Sequence, residues 1–274
     1  MSDVVEILTS ASPPPHDLDD LAGRLVAARR GGPRVDAADI LAVVKASAAA
    51  YAVQARVDAL LWPDARGASV WKAGADSRDA LPTAAAIAPP LVHASGATFL
   101  ARQFGTFIVE AEIAYRFGID LPPRAAPYSG AEVNDAVAAM HVAIEIVDPR
   151  IADFATAPPL AKLADHLLNG AFVLGDGITD WQRIDLRRQK AMLSIDGKIR
   201  DAAEGSHPLG NPAVLLPWFV AHLGSRSGTA EARGVCAGDV VTTGSWTKVV
   251  VAKAGQRITV EFPGIGSAHL IVAT

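Results

Sequence analysis

Cysteine is almost absent from this sequence. One cysteine, Cys236, stands among 274 residues, which excludes an intrachain disulfide framework and a thiolate metal cluster. A single thiol fits a reducing compartment. Its surroundings, VCAGDVV, contain no base that would activate it. Cys236 is therefore interpreted as an inert thiol and not as a nucleophile.

Positive charge and long apolar runs are scarce as well. The net charge is −4, and no basic cluster is interleaved with aromatic residues, so nucleic acid is not an expected partner. No apolar run reaches the length of about twenty residues that a membrane helix needs. The start, MSDVVEILTSASPPPHD, lacks the basic segment and apolar core of a secretory signal. We therefore expect a cytoplasmic protein that makes no membrane contact.

Hydrophobic residues, by contrast, are abundant and make up 50% of the chain. That share of a chain this long is enough for one large core, alone or with a smaller second unit. No G-x-G-x-x-G or phosphate-binding loop follows a predicted strand, so the sequence does not indicate a nucleotide cofactor.

Helical patterns occupy the first part of the chain, and β-type runs occupy the rest. Asp and Pro start signals open one helix, which the GGP at 31–33 ends, and a second helix is predicted from Asp36 to Leu61. After WPDARG, at 62–67, short β-type runs alternate with Pro and Gly. We predict an α+β fold with a small helical N-terminal region, 1–66, and a catalytic domain with a mixed, β-rich core, 67–274.

Two further helices are predicted among the strands. One is GAEVNDAVAAMHV, which ends near His141, and the other runs from Asn211 to Gly224 in NPAVLLPWFVAHLGSRSG. The predicted strands are GATFLA, FIVEAEIAYRF, HVAIEIVD, GAFVLG, DVVTTG, KVVVA, RITVEF and HLIVA.

The stretch FIVEAEIAYRF, 107–117, carries two glutamates one residue apart in an apolar run. As a strand, it places Glu110 and Glu112 on one face and a continuous apolar row on the other. Glu145 interrupts a second β-type run, VAIEIVD. Ion pairing with Arg116 or solvent exposure would explain the first two glutamates alone. Three carboxylates on neighbouring strands would form the oxygen-only site that Mg²⁺ or Mn²⁺ prefers.

Several segments resemble the fumarylacetoacetate hydrolase superfamily. They are GATFLARQFGTFIVEAEIAYRFGIDLP, AIEIVDPRI, GAFVLG and AGDVVTTGSWTKVVVAKAGQRITVEFPGIGS. The likeness runs from Tyr51 to the C-terminus and is strongest to the branch of 2-hydroxypenta-2,4-dienoate (2-keto-4-pentenoate) hydratases and 4-oxalocrotonate decarboxylases. It implies a fumarylacetoacetase C-terminal-like fold and a divalent ion, Mg²⁺ or Mn²⁺, held by Glu110, Glu112 and Glu145.

The resemblance implies two more parts of a site. Lys72 in VWKAG matches the lysine that lies beside the substrate in the family, where burial would lower the pKa of its ammonium group. The turn TTGSWT, with Gly244, Ser245 and Thr247, matches a cradle for the substrate carboxylate. Taken without the family, Lys72 is a solvated lysine and the turn only ends a strand.

Two stretches depart from the pattern of that branch. An aromatic residue and an acid usually follow the lysine, but Thr83 and a run of alanines stand here. Asp76 and Asp79 are then either the missing acid or members of a solvated loop. His166 stands where Asn is common, and Leu168 where a small polar residue is common. His166 is a candidate acid or base because imidazole titrates near neutrality, or else a structural histidine.

The resemblance implies a metal-dependent lyase of aromatic catabolism that hydrates a small 2-keto or 2-hydroxydienoic acid. Three alternatives remain: a 4-oxalocrotonate-type decarboxylase, an acylpyruvate hydrolase, and a catalytically silent partner subunit. Relatives commonly form homo-oligomers, and hydratases and decarboxylases of this branch associate. A homo-oligomer and association with a pathway enzyme are therefore also expected.

Overall fold

The computed structural model describes residues 15–64, 67–225 and 233–274. The start signals before residue 15 and the predicted boundary at residue 66 lie outside the described residues. Described α-helices are α1 Pro15–Arg29, α2 Ala37–Val43, α3 Ser47–Leu61, α4 Gly130–Ala136, α5 Pro159–Ala164 and α6 Leu216–Ser225.

Two sheets contain the described strands. They are β1 Val70–Gly74, β2 Thr83–Ile87, β3 Val92–Ala94, β4 Ala97–Leu100, β5 Ile108–Phe117, β6 Val137–Val147, β7 Asn169–Ile178, β8 Lys190–Ile195, β9 Lys198–Glu204, β10 Val240–Ser245, β11 Val250–Val251, β12 Arg257–Phe262 and β13 Gly266–Ala273. The large sheet has the order β2-β1-β10-β5-β6-β7-β3, with β11 paired to β5, and the small sheet has the order β4-β13-β12-β8-β9. Both sheets mix parallel and antiparallel pairs, as the α+β prediction requires.

The main apolar core lies between the two sheets, where β13 of the small sheet packs against β6 and β7 of the large one. The apolar row of β5 points into this core, and Val109, Ala111, Ile113 and Tyr115 are completely buried. The predicted alternation of FIVEAEIAYRF is therefore confirmed. Its consequence is that Glu110 and Glu112 lie on the opposite face of the large sheet.

A second apolar cluster joins α1, α2 and α3 to α5 and Ile151. The helical part of the molecule thus includes residues from well beyond position 66. No single helix among the described residues is long and apolar enough to cross a membrane. Helices α2 and α3 reach that length and composition only as a pair bent by 108°.

Two helix predictions are wrong in extent. The helix expected from Asp36 to Leu61 is broken at Val44, which has extended backbone angles and a buried side chain in the helical cluster. The helix expected to end near His141 ends at Ala136. From Val137 the chain pairs with β5 over its whole length, so tertiary pairing overrides the helical propensity of AVAAM.

Strands β1, β2, β3, β8 and β9 were not predicted. The alanine run of β2 shows why: Ala84, Ala85 and Ala86 are buried and pair with β1, yet alanine is depleted in strands and gives little β signal. The helix predicted from Asn211 consists of a short 3₁₀ turn, Pro212–Leu215, that continues into α6. The Asn211 side chain accepts a hydrogen bond from the amide of Ala213 at its start.

A candidate metal centre on the large sheet

Three carboxylates meet on the face of the large sheet that points away from the main core. Glu110 of β5 lies directly opposite Glu145 of β6 in the antiparallel pair, and Glu112 is the next residue on the same face of β5. One oxygen from each carboxylate can be chosen so that all three lie within 4.8 Å of one another. Glu112 is 1% exposed and Glu145 is 0% exposed, so the site is set deep in the protein.

Two of these carboxylates have close protein partners. The Nζ atom of Lys72, on β1, lies 2.6 Å from both carboxylate oxygens of Glu145. The side-chain amide of Asn169 donates to Glu145 at 2.9 Å, and the hydroxyl of Thr242, on β10, donates to Glu112. Glu110 accepts no hydrogen bond within the described parts of the chain.

The pKa shifts of two of the glutamates indicate that Lys72 neutralises only part of the negative charge of the cluster. Burial, followed by the charge of Glu145, raises the pKa of Glu110 to about 7. The same two causes raise the pKa of Glu112 well above its ordinary value. One ammonium group therefore faces more negative charge than it can neutralise.

The expectation of a lowered pKa for Lys72 is wrong. Burial does lower it, but the charges of Glu145, Glu112 and Glu110 outweigh burial, and the pKa of Lys72 is raised. Lys72 is therefore held as an ammonium ion by the same carboxylates that make up the candidate metal site. The alternative of a solvated Lys72 does not fit either, because 13% of the side chain is exposed.

The residues present fit a hard divalent cation. Their donors are all carboxylate oxygens, which Mg²⁺ and Mn²⁺ prefer, and a +2 ion would balance the charge that Lys72 leaves uncompensated. Hydrogen bonds from Thr242 and Asn169 fix two of the three carboxylates from outside, as is common around metal ligands.

The end of β10 and the residues that follow it, 244–247, here together called the turn after β10, lie beside these carboxylates, because Ser245 pairs with Glu112 across a bulge in the β10–β5 ladder. Gly244 has φ +106°, a conformation that suits glycine. The Ser245 hydroxyl donates to the carbonyl of Thr247 at 2.9 Å, and the Thr247 hydroxyl accepts from the amide of Ala111 at 3.3 Å. Both hydroxyls thus shape the turn, while its candidate role toward a substrate stays a prediction.

Other predicted residues lie apart from the carboxylates. Nε2 of His166 is 3.0 Å from Oδ1 of Asp58 on α3, without hydrogen-bond geometry. Within the described residues, no hydrogen bond or ion pair joins the His166 ring to the three glutamates. Asp76 and Asp79 are exposed after β1, which agrees with the solvated-loop interpretation.

Sequence reasoning missed three groups that contact the cluster: the Thr242 hydroxyl, the Asn169 amide and the carbonyl of Leu167, which accepts from Lys72 at 3.0 Å. Thr242 carried a signal, because it belongs to the TTGSWT turn already singled out. Nothing in the sequence marked the Leu167 carbonyl, since any residue provides one.

Comparison with known proteins identifies the family. The model of the fumarylacetoacetate (FAA) hydrolase C-terminal family matches residues 78–273. The chain belongs to this family. Lys72 precedes the matched residues, whereas Glu110, Glu112, Glu145 and the turn after β10 lie within them.

Named relatives of the family fall into the two predicted activities. A 2-keto-4-pentenoate hydratase from Burkholderia vietnamiensis strain G4 is 34% identical over 161 residues, 59% of this chain and 58% of the hydratase. A 4-oxalocrotonate decarboxylase from Pseudomonas putida is 26% identical over 162 residues, 58% of this chain and 57% of the relative. The chain thus spans less than two thirds of the length of these relatives.

A solved structure matches over a longer stretch of the chain. The 4-oxalocrotonate decarboxylase from Pseudomonas putida G7, complexed with magnesium and adipate, superposes with a TM-score of 0.79 at 20% identity. The match covers 94% of this chain and 97% of that one. It confirms the predicted fold, including the small helical N-terminal region.

Proposed function

We propose that this protein is a metal-dependent lyase that hydrates a small 2-hydroxydienoic acid of the 2-hydroxypenta-2,4-dienoate (2-keto-4-pentenoate) type. The observation that carries the proposal is the cluster of Glu110, Glu112 and Glu145 with Lys72 bound to Glu145. The names of the related hydratases supply the substrate class. Cytoplasmic location, homo-oligomeric assembly and association with a pathway enzyme are part of the proposal on the strength of the family likeness.

The three glutamates are the proposed ligands of Mg²⁺ or Mn²⁺. Such an ion supplies Lewis-acid stabilisation of negative charge on the 2-oxo oxygen of the substrate. The hydroxyl of Thr242 and the amide of Asn169 keep Glu112 and Glu145 in place. Two of the three carboxylates are thus oriented before any substrate enters.

Lys72 and the turn after β10 are the proposed substrate-handling groups. Held as an ammonium ion beside Glu145, Lys72 is placed to give a proton to the carbon chain and to regain one from the water that adds to it. Backbone amides of the turn at Gly244, with Ser245 and Thr247, would receive the substrate carboxylate. His166 remains only a candidate acid or base, because its Nε2 lies 3.0 Å from Oδ1 of Asp58, a position that fits a structural histidine better.

A 4-oxalocrotonate-type decarboxylase is the second candidate, and one observation favours it. Asp76 and Asp79, the acids nearest Lys72 in the sequence, are exposed, and neither carboxylate contacts Lys72 in the described part of the chain. Loss of CO₂ into a stabilised enolate needs less from a water-activating group than hydration does. The relatives named as decarboxylases show that the family includes this activity.

Ultraviolet absorbance tests the proposal. Protein stripped with EDTA is mixed with 2-hydroxypenta-2,4-dienoate or with 4-oxalocrotonate, with and without Mg²⁺ or Mn²⁺. Loss of the dienoate chromophore only with added metal supports the hydratase. Loss of only the oxalocrotonate chromophore, with release of CO₂, replaces it by the decarboxylase. No metal-dependent change with either compound contradicts both and favours an acylpyruvate substrate or a silent subunit.

A further inference from the structure

Three consecutive residues between α5 and β7 adopt left-handed backbone angles. His166, Leu167 and Leu168 have φ values of 49°, 52° and 67°, and none of them is glycine. Within the described residues, the only other non-glycine residue at positive φ is Asp196. A left-handed conformation is unfavourable for residues with a side chain, and it persists only where surrounding contacts enforce it. Three in a row therefore need a strong external constraint.

A buried ion pair provides this constraint. Arg150 and Asp165 are both 2% exposed. Nε and the backbone amide of Arg150 donate to the two oxygens of the Asp165 carboxylate at 2.5 and 2.9 Å. Nη2 donates to the carbonyl of Asp165 at 2.8 Å, and Nη1 donates to the carbonyl of Asn169 at 2.7 Å and to that of Asp148. Arg150 thus fastens both ends of the left-handed turn.

The left-handed turn, residues 166–168, also contacts the candidate metal centre. The carbonyl of Leu167 accepts a hydrogen bond from Nζ of Lys72 at 3.0 Å. The carbonyl of Leu168 accepts from the amide of Asp148 at 3.0 Å, which ties the turn to the end of β6. The next residue, Asn169, donates its side-chain amide to Glu145. A regular right-handed turn would aim these carbonyls elsewhere, because each peptide plane would be rotated.

We propose that Arg150 and Asp165 are positioning residues, whose ion pair holds the turn 166–168 left-handed so that the Leu167 carbonyl fixes Lys72 against Glu145. In the substrate-free protein the three hydrogens of the Lys72 ammonium group have three acceptor oxygens, two from Glu145 and one from Leu167. A substrate would take the place of one Glu145 oxygen, while the Leu167 carbonyl stays bound. The two carboxylate oxygens alone leave the ammonium free to swing about Glu145. The carbonyl removes that freedom. The importance of this positioning for turnover rests on the proposed function.

Lysine-selective ¹H–¹⁵N spectra of Mg²⁺-loaded protein test the proposal without a substrate. A fully hydrogen-bonded ammonium group exchanges slowly, so we expect a protected Nζ resonance that disappears in Lys72→Met. Leu167→Pro should weaken or remove it, because proline keeps the carbonyl but holds φ at about −65°, which excludes the left-handed backbone. Leu167→Gly is the matched control, since it removes the same side chain while glycine adopts the observed φ of 52° without strain. Retention of the resonance at full intensity in Leu167→Pro, or its loss in Leu167→Gly, overturns the proposal.

Kinetics provide the second readout. Leu167→Pro should lower kcat by about 10- to 100-fold, the loss expected from displacing a reacting group by about 1 Å, whereas Leu167→Gly should not. KM and the Kd for Mg²⁺ should stay within about twofold, and the loss should vanish in a Lys72→Met background, as expected for residues that act through one another. An equal loss in that background contradicts positioning through Lys72.

A conservative change of the ion pair separates positioning from folding. Arg150→Lys keeps the positive charge but loses the planar guanidinium group, whose nitrogens bind Asp165 and Asn169 at the same time. We expect it to weaken the Lys72 resonance and lower kcat at a temperature where circular dichroism shows a folded protein. If Arg150→Lys does not fold, the comparison of Leu167→Pro with Leu167→Gly decides. A wild-type protein that shows the resonance but turns over neither dienoate contradicts the proposed function and supports the positioning.

Discussion

Glu110 and Glu145 are direct partners in the antiparallel pair of β5 and β6. Side chains at such positions are close neighbours on one face of a sheet, and like charges there repel. Glu112 adds a third buried carboxylate on the same face. In the metal-free protein this strand pairing therefore carries an unfavourable electrostatic energy, which a divalent cation would reduce.

Glu112→Gln should abolish metal-dependent turnover and leave the fold intact. Glutamine has nearly the same shape as glutamate but lacks the charge of a ligand. We therefore expect activity to fall by more than about 100-fold, which exceeds the loss of about 10- to 100-fold that is typical when a residue supporting a metal ligand is changed. Differential scanning fluorimetry should show that Mg²⁺ no longer raises Tm, while Tm without metal does not fall. Glu261→Gln, at an exposed position of β12, is the control. An unchanged Mg²⁺ response would refute the assignment of Glu112 as a ligand.

Thr242→Val should weaken the metal site from outside. Valine keeps the shape of the side chain but removes the hydroxyl that donates to Glu112. We expect the Kd for Mg²⁺ to rise by about 10-fold or more, measured by calorimetry. Thr243→Val is a closely matched control, because the Thr243 hydroxyl is equally buried but donates to the carbonyl of Ile113 at 3.1 Å. Equal effects of both changes would show general destabilisation instead.

Lys72→Met should separate catalysis from metal binding. Loss of the ammonium group removes the proposed proton donor, and kcat should fall by about 100-fold or more. The affinity for Mg²⁺ should not weaken, because a positive neighbour of Glu145 has been removed. Steady-state rates and calorimetry on the same preparation measure both quantities, with Lys190→Met, an exposed lysine of β8, as control. A rate equal to that of the wild type would show that Lys72 takes no part.

Metal-free protein should lose stability as pH rises from 4.5 to about 7. The pKa of Glu110 is raised from its ordinary 4.5 to about 7 in the folded protein. The folded state therefore holds a proton over this range that the unfolded chain releases, and the free energy of unfolding falls as pH increases. Denaturant titrations at several pH values measure this trend. The rise in Tm on adding Mg²⁺ should be larger at pH 8 than at pH 6, because the ion competes with that proton.

His166→Asn tests whether this histidine is an acid or base. Its ring faces Asp58, and asparagine tolerates the left-handed backbone at this position better than most residues do. We therefore expect the pH–rate profile to keep its shape and kcat to change little. A lost or displaced limb of the profile in His166→Asn would instead identify His166 as a titrating catalytic group.

Much of the site could be predicted from the local sequence pattern. Alternation along FIVEAEIAYRF placed two glutamates on one strand face, and the same alternation around Glu145 marked a second strand. The period of two is a local property of the chain, so it does not depend on which strands become neighbours. The family motifs added Lys72 and the turn at Gly244.

Other features depended on contacts that no local pattern reports. The helix pattern of AVAAM gave way to a strand because β5 and β7 pair with both edges of β6. The break at Val44 arises from packing in the helical cluster. Five strands were not predicted. The alanines of β2 form a strand because they pair with the edge of β1.

The sequence by itself determined which side chains share a strand face, which residue types are available for a metal, and to which family the chain belongs. Only the tertiary structure decided that Glu110 faces Glu145, that Lys72 meets a carboxylate 73 positions away, and that its charge is stabilised instead of suppressed. The physical reason is the separation along the chain between the residues that determine each feature. Side-chain alternation follows from the geometry of consecutive peptide units, whereas register, burial and the balance of charges depend on how distant segments pack.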